Sequence, residues 1–450
     1  MSNIFTQSIT PPFTKQSVSE YFIDPMFMGE DIRGSITVRT DIKGTELLNR
    51  VSRPSMITKP KKEPGFYPSG SFELTTKEIT VQPMAIEFEQ NGREFWGSIA
   101  EQLLASGYKE DDVEQMSNPD IWNKIMLPII AQAGQKDLIR QIFFSDPVHE
   151  ELKSGIPGGV ADENYSGYTG ILTHLLSDLY SGVINASQHI KISSSVTAVK
   201  SEKILTYTAN TDTKITVTIN GIDYEQAYST NAATTIANWL SSHKTIVEAR
   251  SGINGVVVTN PSGAQLKVVS KYGGQSFDFD AVADGSGTFA ASGEVVAVRS
   301  SSLSSDEADA TLEAMIDAMP SELLELDPVF MITRSMWRNL LKTWKSLGTE
   351  TANEIVFRGI KVPVYEGIPI IIRPDWDLWI KSSFNDILPH RALLTTQRNI
   401  LFGTDATTDS EMMETWYNQE EQKRRYRVQY KAQTAYLHKE LIVLAGFKDD

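Results

Sequence analysis

The side chains able to do chemistry are scattered. There is no cysteine, so disulfides, thiolate metal sites and a cysteine nucleophile are excluded. The six histidines, His149, His174, His189, His243, His390 and His438, form no H-E-x-x-H and no close pair at helical spacing. A zinc site would have to be assembled by folding alone, and ordinary surface or core histidines are expected. Asp278, Asp280 and Asp284, followed by Gly285, have the composition of a calcium loop. Their spacing departs from the EF-hand and no glutamate closes it, so a turn rich in Asp and Gly is expected instead. Gly155 to Gly159 (GIPGG) lacks the Lys-Ser/Thr of a phosphate loop, and no G-x-S-x-G elbow is present. The residues thus point to no catalytic, metal or cofactor site, and no enzyme activity is expected.

The densest positive run is Lys423, Arg424, Arg425 and Arg427. It has two readings: a patch facing DNA, or pairing with acids such as Glu411, Glu414, Glu420 and Glu421 within or between subunits. Strand alternation sends successive charges to opposite faces, which favours contacts over a nucleic-acid surface. The formal net charge of −15 points the same way, because phosphate affinity comes from Lys and Arg releasing counterions. Trp337, Trp344, Trp376, Trp379 and Trp416 cluster in the C-terminal half, where core packing and intersubunit anchoring are the alternatives.

These residues need elements to hold them. A chain of 450 residues implies two to three folding units, and 40% hydrophobic with 22% charged residues is an ordinary globular balance. The N-terminus lacks a signal-peptide pattern, and the apolar runs at 125–131 and 441–446 are too short for a bilayer, so a soluble product without membrane contact is expected. The first 40 or so residues read as an extended arm. Lys59 to Gly70 is rich in Pro, Gly and Lys, and Ser71 to Glu89 alternates, which predicts a long two-stranded excursion with a basic tip that lies against another chain.

Asn118-Pro119-Asp120 announces a helix. Its predicted face is Ile121, Ile125, Met126, Ile129, Ile130 and Ala133, with a bend or loosening at Pro128 and Gly134. From Lys191 to Ser302 the composition turns to Ser, Thr, Val, Ala and Gly. Hairpin and turn signals stand at Asn220-Gly221 and Asn260-Pro261-Ser262-Gly263, and a short helix is predicted near Thr234 to His243. A helix over 304–319 with Ser304 and Glu307 at capping-box spacing, a strand PVFMIT, a helix from Ser335 to Leu347 and strands in FRGIKVPVYEGIPIIIRP follow. Tyr426, Val428, Tyr430 and Ala432 alternate with Arg425, Arg427, Gln429, Lys431 and Gln433, the period of a half-buried strand, and Leu441 to Leu444 is a last strand. The class is α+β.

In this order the pieces resemble the Hong Kong 97-type major capsid proteins of tailed bacteriophages (Caudoviricetes). The stretch from Pro389 to Phe447 carries the clearest likeness, and the resemblance spans roughly residues 30 to 189 and 305 to 447. It implies an N-terminal arm (1–43), an E-loop (44–93), a peripheral domain with a spine helix ending in DLIRQIFFSD (94–164), and a first axial part opening at YTGILTHLL (165–190). An inserted β-rich domain (191–302), a second axial part (303–389) and a C-terminal peripheral part (390–450) follow. The implied function is self-assembly into hexamers and pentamers of an icosahedral shell that encloses double-stranded DNA without sequence-specific binding.

The implied partners are portal, decoration and scaffolding proteins, the last as a separate chain if present. Assembly would take place in the host bacterial cytoplasm and the mature protein would reside in the virion. Lys59, Lys61, Lys62, Phe66 and Tyr67 of the E-loop become the expected intersubunit contacts. Some family members form a Lys–Asn isopeptide. Here Lys59, Lys61, Lys62 or Lys77 would be donors and Asn385, Asn399 or Asn418 acceptors, but no local motif selects among them and no crosslink is expected. An encapsulin-type compartment and a tail or baseplate structural protein are the alternative functions.

Overall fold

The computed structural model describes residues 36–51 except 41, 60, 74–90, 127–147, 166–298 except 195 and 250–254, 302–346, 354–357, 360–383, 389–405, and 413–447 except 422. The chain divides into two compact units, Met1–Ile139 with Ile400–Leu437 and Arg140–Asn399 with His438–Asp450.

The first unit begins with β1 (Thr37–Arg39) and then a ribbon of β2 (Thr45–Val51) and β3 (Leu74–Thr80), antiparallel from Thr45 opposite Thr80 to Val51 opposite Leu74. Leu48 and Ile79 turn into a core with Ile42 and Val81, while Leu47 on the other face is 55% exposed. The Lys77 ammonium lies 3.6 Å from the centroid of the Tyr436 ring. Residues 82–90, which the sequence pattern places in the ribbon, instead form β4 (Gln82–Gln90) of another sheet. The Val81 N–H bonds to the Gly44 carbonyl, where the opposing strand runs out, so β4 must find its ladder elsewhere.

Helix α1 (Leu127–Phe144) ends where DLIRQIFFSD predicts. The start signal at Asn118 to Asp120 lies outside the described residues. Pro128 falls in the first described turn, and the helix runs unbroken through Gly134. The buried face is rotated from the expected one. Ile130, Ala131, Leu138 and Ile142 are buried, while Ile129 and Ala133 are exposed.

In the second unit α2 (Ile171–Tyr180) buries Ile171, Leu172, Leu175, Leu176 and Leu179, and a 3-10 turn leads to β5 (His189–Ile190). A β-rich module follows: β6 (Glu202–Thr208), β7 (Lys214–Ile219), β8 (Ile222–Ala227), α3 (Ala232–Ala249), β9 (Val256–Thr259), β10 (Gln265–Ser270), β11 (Phe279–Ala283) and β12 (Thr288–Val295). Two antiparallel sheets, ordered β12-β6-β10-β9 and β11-β7-β8, share a core with α3 that includes Val217, Trp239, Val258, Leu266 and Phe279. Asn220 and Gly221 both have positive φ, 50° and 78°, as a two-residue type I′ hairpin requires. The second signalled turn is also present, with the Gln265 N–H donating to the Ser262 carbonyl and Asn260 Nδ2 to the Gly263 carbonyl. Helix α3 is longer than Thr234 to His243 because Val247 continues the buried stripe of Ile236 and Trp239.

Isolated antiparallel bridges, Ser194 with Leu303 and Val199 with Val298, hold the strands entering and leaving the module side by side. Helix α4 (Glu307–Asp317) starts after Asp306, which has φ 59° and makes no side-chain cap bond. The expected capping box is therefore absent. Glu307 Oε1 accepts from the Ser193 N–H at 2.7 Å instead, so the acid serves the base of the module rather than its own helix.

The chain continues with β13 (Pro328–Thr333), α5 (Arg334–Ser346), β14 (Glu354–Phe357), β15 (Ile360–Tyr365), β16 (Ile368–Arg373), α6 (Pro374–Ser383) and β17 (Ala392–Thr396). A 3-10 turn at Gln397–Asn399 separates β17 from β18 (Ile400–Thr404); β19 (Met413–Asn418), β20 (Lys423–Tyr436) and β21 (Val443–Ala445) complete the fold. The seven-stranded sheet of the second unit is ordered β14-β15-β16-β13-β17-β21-β5 and mixes parallel (β13–β16, β21–β5) with antiparallel pairs. Gly446 ends it at φ 74°, where a Cβ would run into the His390 carbonyl. The first unit's five-stranded sheet is ordered β1-β18-β20-β19, with β4 also on β20.

Candidate functional site

Strand β20 is the hub of the five-stranded sheet, and its first half holds the basic run. Burial alternates along it, so Arg424, Tyr426, Val428 and Tyr430 face inward while Lys423, Arg425 and Arg427 share the other face. Arg424 is 2% exposed, its Nε donates to Thr415 Oγ1 at 3.0 Å, and burial lowers its pKa.

The outward cations meet acids of β4. The antiparallel register sets Glu89 opposite Arg425 and Glu87 opposite Arg427. Lys423 Nζ pairs with Glu89, Arg425 Nε lies 3.3 Å from Glu89 and its Nη2 2.6 Å from Glu421, and Arg427 Nε lies 2.6 Å from Glu87. Hydrogen bonds from Lys423 and then Arg425 hold the Glu89 carboxyl below its ordinary range, and the same contact with Glu89 raises the Lys423 pKa. The Arg427 guanidinium sits 5.5 Å from the ring centroid of Trp416, which is 39% exposed. Phe88 stacks on Tyr426 at 4.6 Å, and these side chains with the ladder charges line an open groove of about 320 Å³.

Such a ladder ties β4 to β20. Its positive charge is matched within the chain, and among the described residues lining the groove every acid and base is engaged in these ion pairs.

The other chemically capable residues are spent on architecture. Asp284 accepts from the N–H groups of Thr213 and Lys214 and from the Thr213 hydroxyl, which depresses its pKa to about 2. Asp280 bonds the Ala281 N–H, and Asp278 donates its N–H to Asn220. Asp284 thus fixes the chain beside β7, Asp278 is tied to the Asn220 turn through its backbone, Asp280 lies within β11, and no cluster of three metal-capable side chains occurs among the described residues. His243 reaches the Glu225 carbonyl, and His390 Nδ1 lies 2.9 Å from Ser335 Oγ. Asn399 is 1% exposed and its amide bonds Thr395 and the His438 backbone, which withdraws it as a crosslink acceptor. Asn418 caps the turn at Glu420. Lys59, Lys61, Lys62, Phe66, Tyr67, Asn385, His149 and 155–159 lie outside the described residues.

No protein-family model and no curated protein matches the chain. Among solved structures it is similar to a chain of the cyanophage A-1(L) capsid asymmetric unit, at 9% identity and TM-score 0.42, covering 100% of both chains. It is also similar to a chain of the satellite phage P4 procapsid that includes the size determination (Sid) protein, at 7% identity and TM-score 0.38, covering 91% of this chain and 92% of that one. A third likeness is to the holo-SrpI encapsulin complex of Synechococcus elongatus, at 8% identity and TM-score 0.37, covering 92% and 85%.

Of the nearby acids expected to pair with the basic run Glu421 does so, whereas its other partners, Glu87 and Glu89, lie far from it in sequence. A signal existed. Acids two apart on one face of AIEFEQ match cations two apart on one face of RRYRV.

Proposed function

We propose that the chain is a non-enzymatic shell subunit of the Hong Kong 97 type, the major capsid protein of a tailed bacteriophage. The observation that carries this reading is the ribbon of β2 and β3. Among the described residues only two strands pair over its length; one face packs on Ile42, Val81, Leu401 and Ala435, and a two-stranded ribbon is marginal in water unless its outer face, with the exposed Leu47, also rests on another chain. In this reading the expected E-loop of residues 44–93 is laid on a neighbouring copy over 44–81, with Lys59, Lys61, Lys62, Phe66 and Tyr67 at that contact, while Gln82–Gln90 stays in the chain's own sheet on β20.

Residues 1–43 are then the arm, 94–164 and 390–450 the peripheral domain, 165–190 and 303–389 the axial domain, and 191–302 an inserted domain. Copies gather as hexamers and pentamers, and many modest interfaces sum to a stable shell. The net charge of −15 and the neutralised ladder suit a container that encloses DNA without gripping it. Portal, scaffolding and decoration proteins are its expected partners in the virion.

Electron microscopy of the protein expressed with its companion assembly proteins tests the proposal. Closed icosahedral particles are expected, and a chain that stays monomeric at high concentration overturns it. Particles filled with DNA support the phage capsid, whereas particles holding protein cargo favour an encapsulin-type compartment.

A further inference from the structure

Two helices of the second unit carry opposite charge on one shared core. Helix α5 reads RSMWRNLLKTWKS and contains no acid, whereas α4 reads EADATLEAMID and contains no cation. Met336 and Leu340 of α5 pack in the same cluster as Ala308, Leu312 and Met315 of α4. Asn339 ties the pair, its Oδ1 taking the Ala308 N–H at 3.1 Å and its Nδ2 donating to the Ser304 carbonyl at 2.9 Å. Meeting through their buried faces, the two helices must turn their charges outward. Arg334, Arg338, Lys342 and Lys345 are all exposed, in one stripe opposite Met336 and Leu340. On α4, Glu313 and Asp317 are exposed and Asp309 is half-buried, with Asp306 exposed just before the first turn. Glu307 bonds the Ser193 N–H and stands off this stripe.

We infer that the basic α5 stripe of one copy seats antiparallel on the acidic α4 stripe of a second copy; this rests on the shell reading above and names a contact between its subunits. Spacing and charge together select the occupant. The cations follow one another at gaps of four, four and three residues, and the acids read backwards from Asp317 to Asp306 have the same gaps. Antiparallel pairing therefore sets Arg334 against Asp317, Arg338 against Glu313, Lys342 against Asp309 and Lys345 against Asp306, over about 16 Å at 1.5 Å per residue. The same register places Leu341 against Ala310 and Trp337 against Ala314, each time a large apolar side chain against a small one. Opposite ends of the helix dipoles also come together. Two chains of net charge −15 repel over most approaches, so faces of opposite sign decide how they meet. Exposed ion pairs are weak singly, which makes the stripes a device for direction and register within contacts that the rest of the shell also supports.

Charge reversal tests the pairing. One chain carries Arg334→Glu with Arg338→Glu, the other Glu313→Arg with Asp317→Arg, and each is expressed with the companion assembly proteins. Either alone is expected to lose at least tenfold in sedimenting capsomers and particles. Expressed together, the two are expected to regain assembly, because an acidic α5 then meets a basic α4 on a different copy. The cysteine-free sequence adds a readout that leaves every charge in place. In particles built from Leu341→Cys and Ala310→Cys chains together, a short bismaleimide is expected to give a covalent dimer, and particles of either chain alone give none.

Normal assembly of either reversed chain alone, or intact particles in which the mixed cysteine chains do not link, overturns the inference and leaves the shell reading standing. Particles of the α5-reversed chain that form normally but hold less DNA overturn it in favour of nucleic acid on the basic stripe. Rescue when all four reversals share one chain, without rescue by the mixture, overturns it in favour of pairing inside the subunit. Absence of particles from the unmodified chain overturns the shell reading and this inference with it.

Discussion

The β-module and the five-stranded sheet build with the same alternating strands and close in opposite ways. In the module, β7 and β8 are joined by a two-residue turn, Asp212 and Asp284 fix the turns beside them, and one helix seals two edges. In the five-stranded sheet, β4 and β20 meet across 340 residues of sequence, the separation of Glu87 and Arg427. Local closure costs little loop entropy and forms early, whereas the β4–β20 ladder waits until both ends of the chain exist. The module should therefore behave as a separate cooperative unit.

The largest expected effect comes from Trp239→Ala, which empties a fully buried site and removes the bond to the Tyr224 carbonyl. A loss of about 3–5 kcal/mol is expected in the module, read by hydrogen exchange as lost protection in β6 to β12 with β20 unchanged. Equal loss in β20 would break the comparison. Ile79→Ala is the converse, at about 2–5 kcal/mol. Protection should fall in the ribbon and in β20 while the module keeps its own.

Acid gives a smaller, signed effect. Asp284 titrates at about 2 in the folded module against an ordinary 3.8, and Asp212 is lowered as well by its bonds to the Asn210 N–H and Tyr207. A depressed carboxylate contributes stability above the unfolded pKa and loses it as pH falls through the folded one. The module should weaken between about pH 4 and pH 2, and Asp284→Asn should flatten that slope in a denaturation series. The smallest effect is at the ladder. Glu89→Gln removes an exposed partner of Lys423 and Arg425, so a slight drop in melting temperature is expected at low salt and none at high salt.

What the sequence made legible was local. Asn220-Gly221 prescribes its hairpin because both positions need positive φ, and the alternation from Arg425 to Gln433 gives the two faces of β20 directly. What it hid was partner choice. A period of two says that Gln82–Gln90 is a strand and is silent on whether β2 or β20 receives it. Ser304 and Glu307 have the spacing of a cap, yet Glu307 serves Ser193, brought near only by the fold. The turn at Gln397–Asn399, which hands the chain from β17 in one sheet to β18 in another, is flanked by apolar runs on both sides and has no Gly or Pro to mark it. Helix α6 follows strand β16 directly, and Pro374, Asp375 and Asp377 are the signal of its start.

The paired bridges at Ser194–Leu303 and Val199–Val298 have a consequence for how such a chain can change over time. Where two stems already stand side by side, a foreign polypeptide whose own ends are close can be spliced in, enlarged or removed with little cost in loop closure to its host. The base of the module is thus a graft point, and a display cargo joined there should leave the surrounding strands in register.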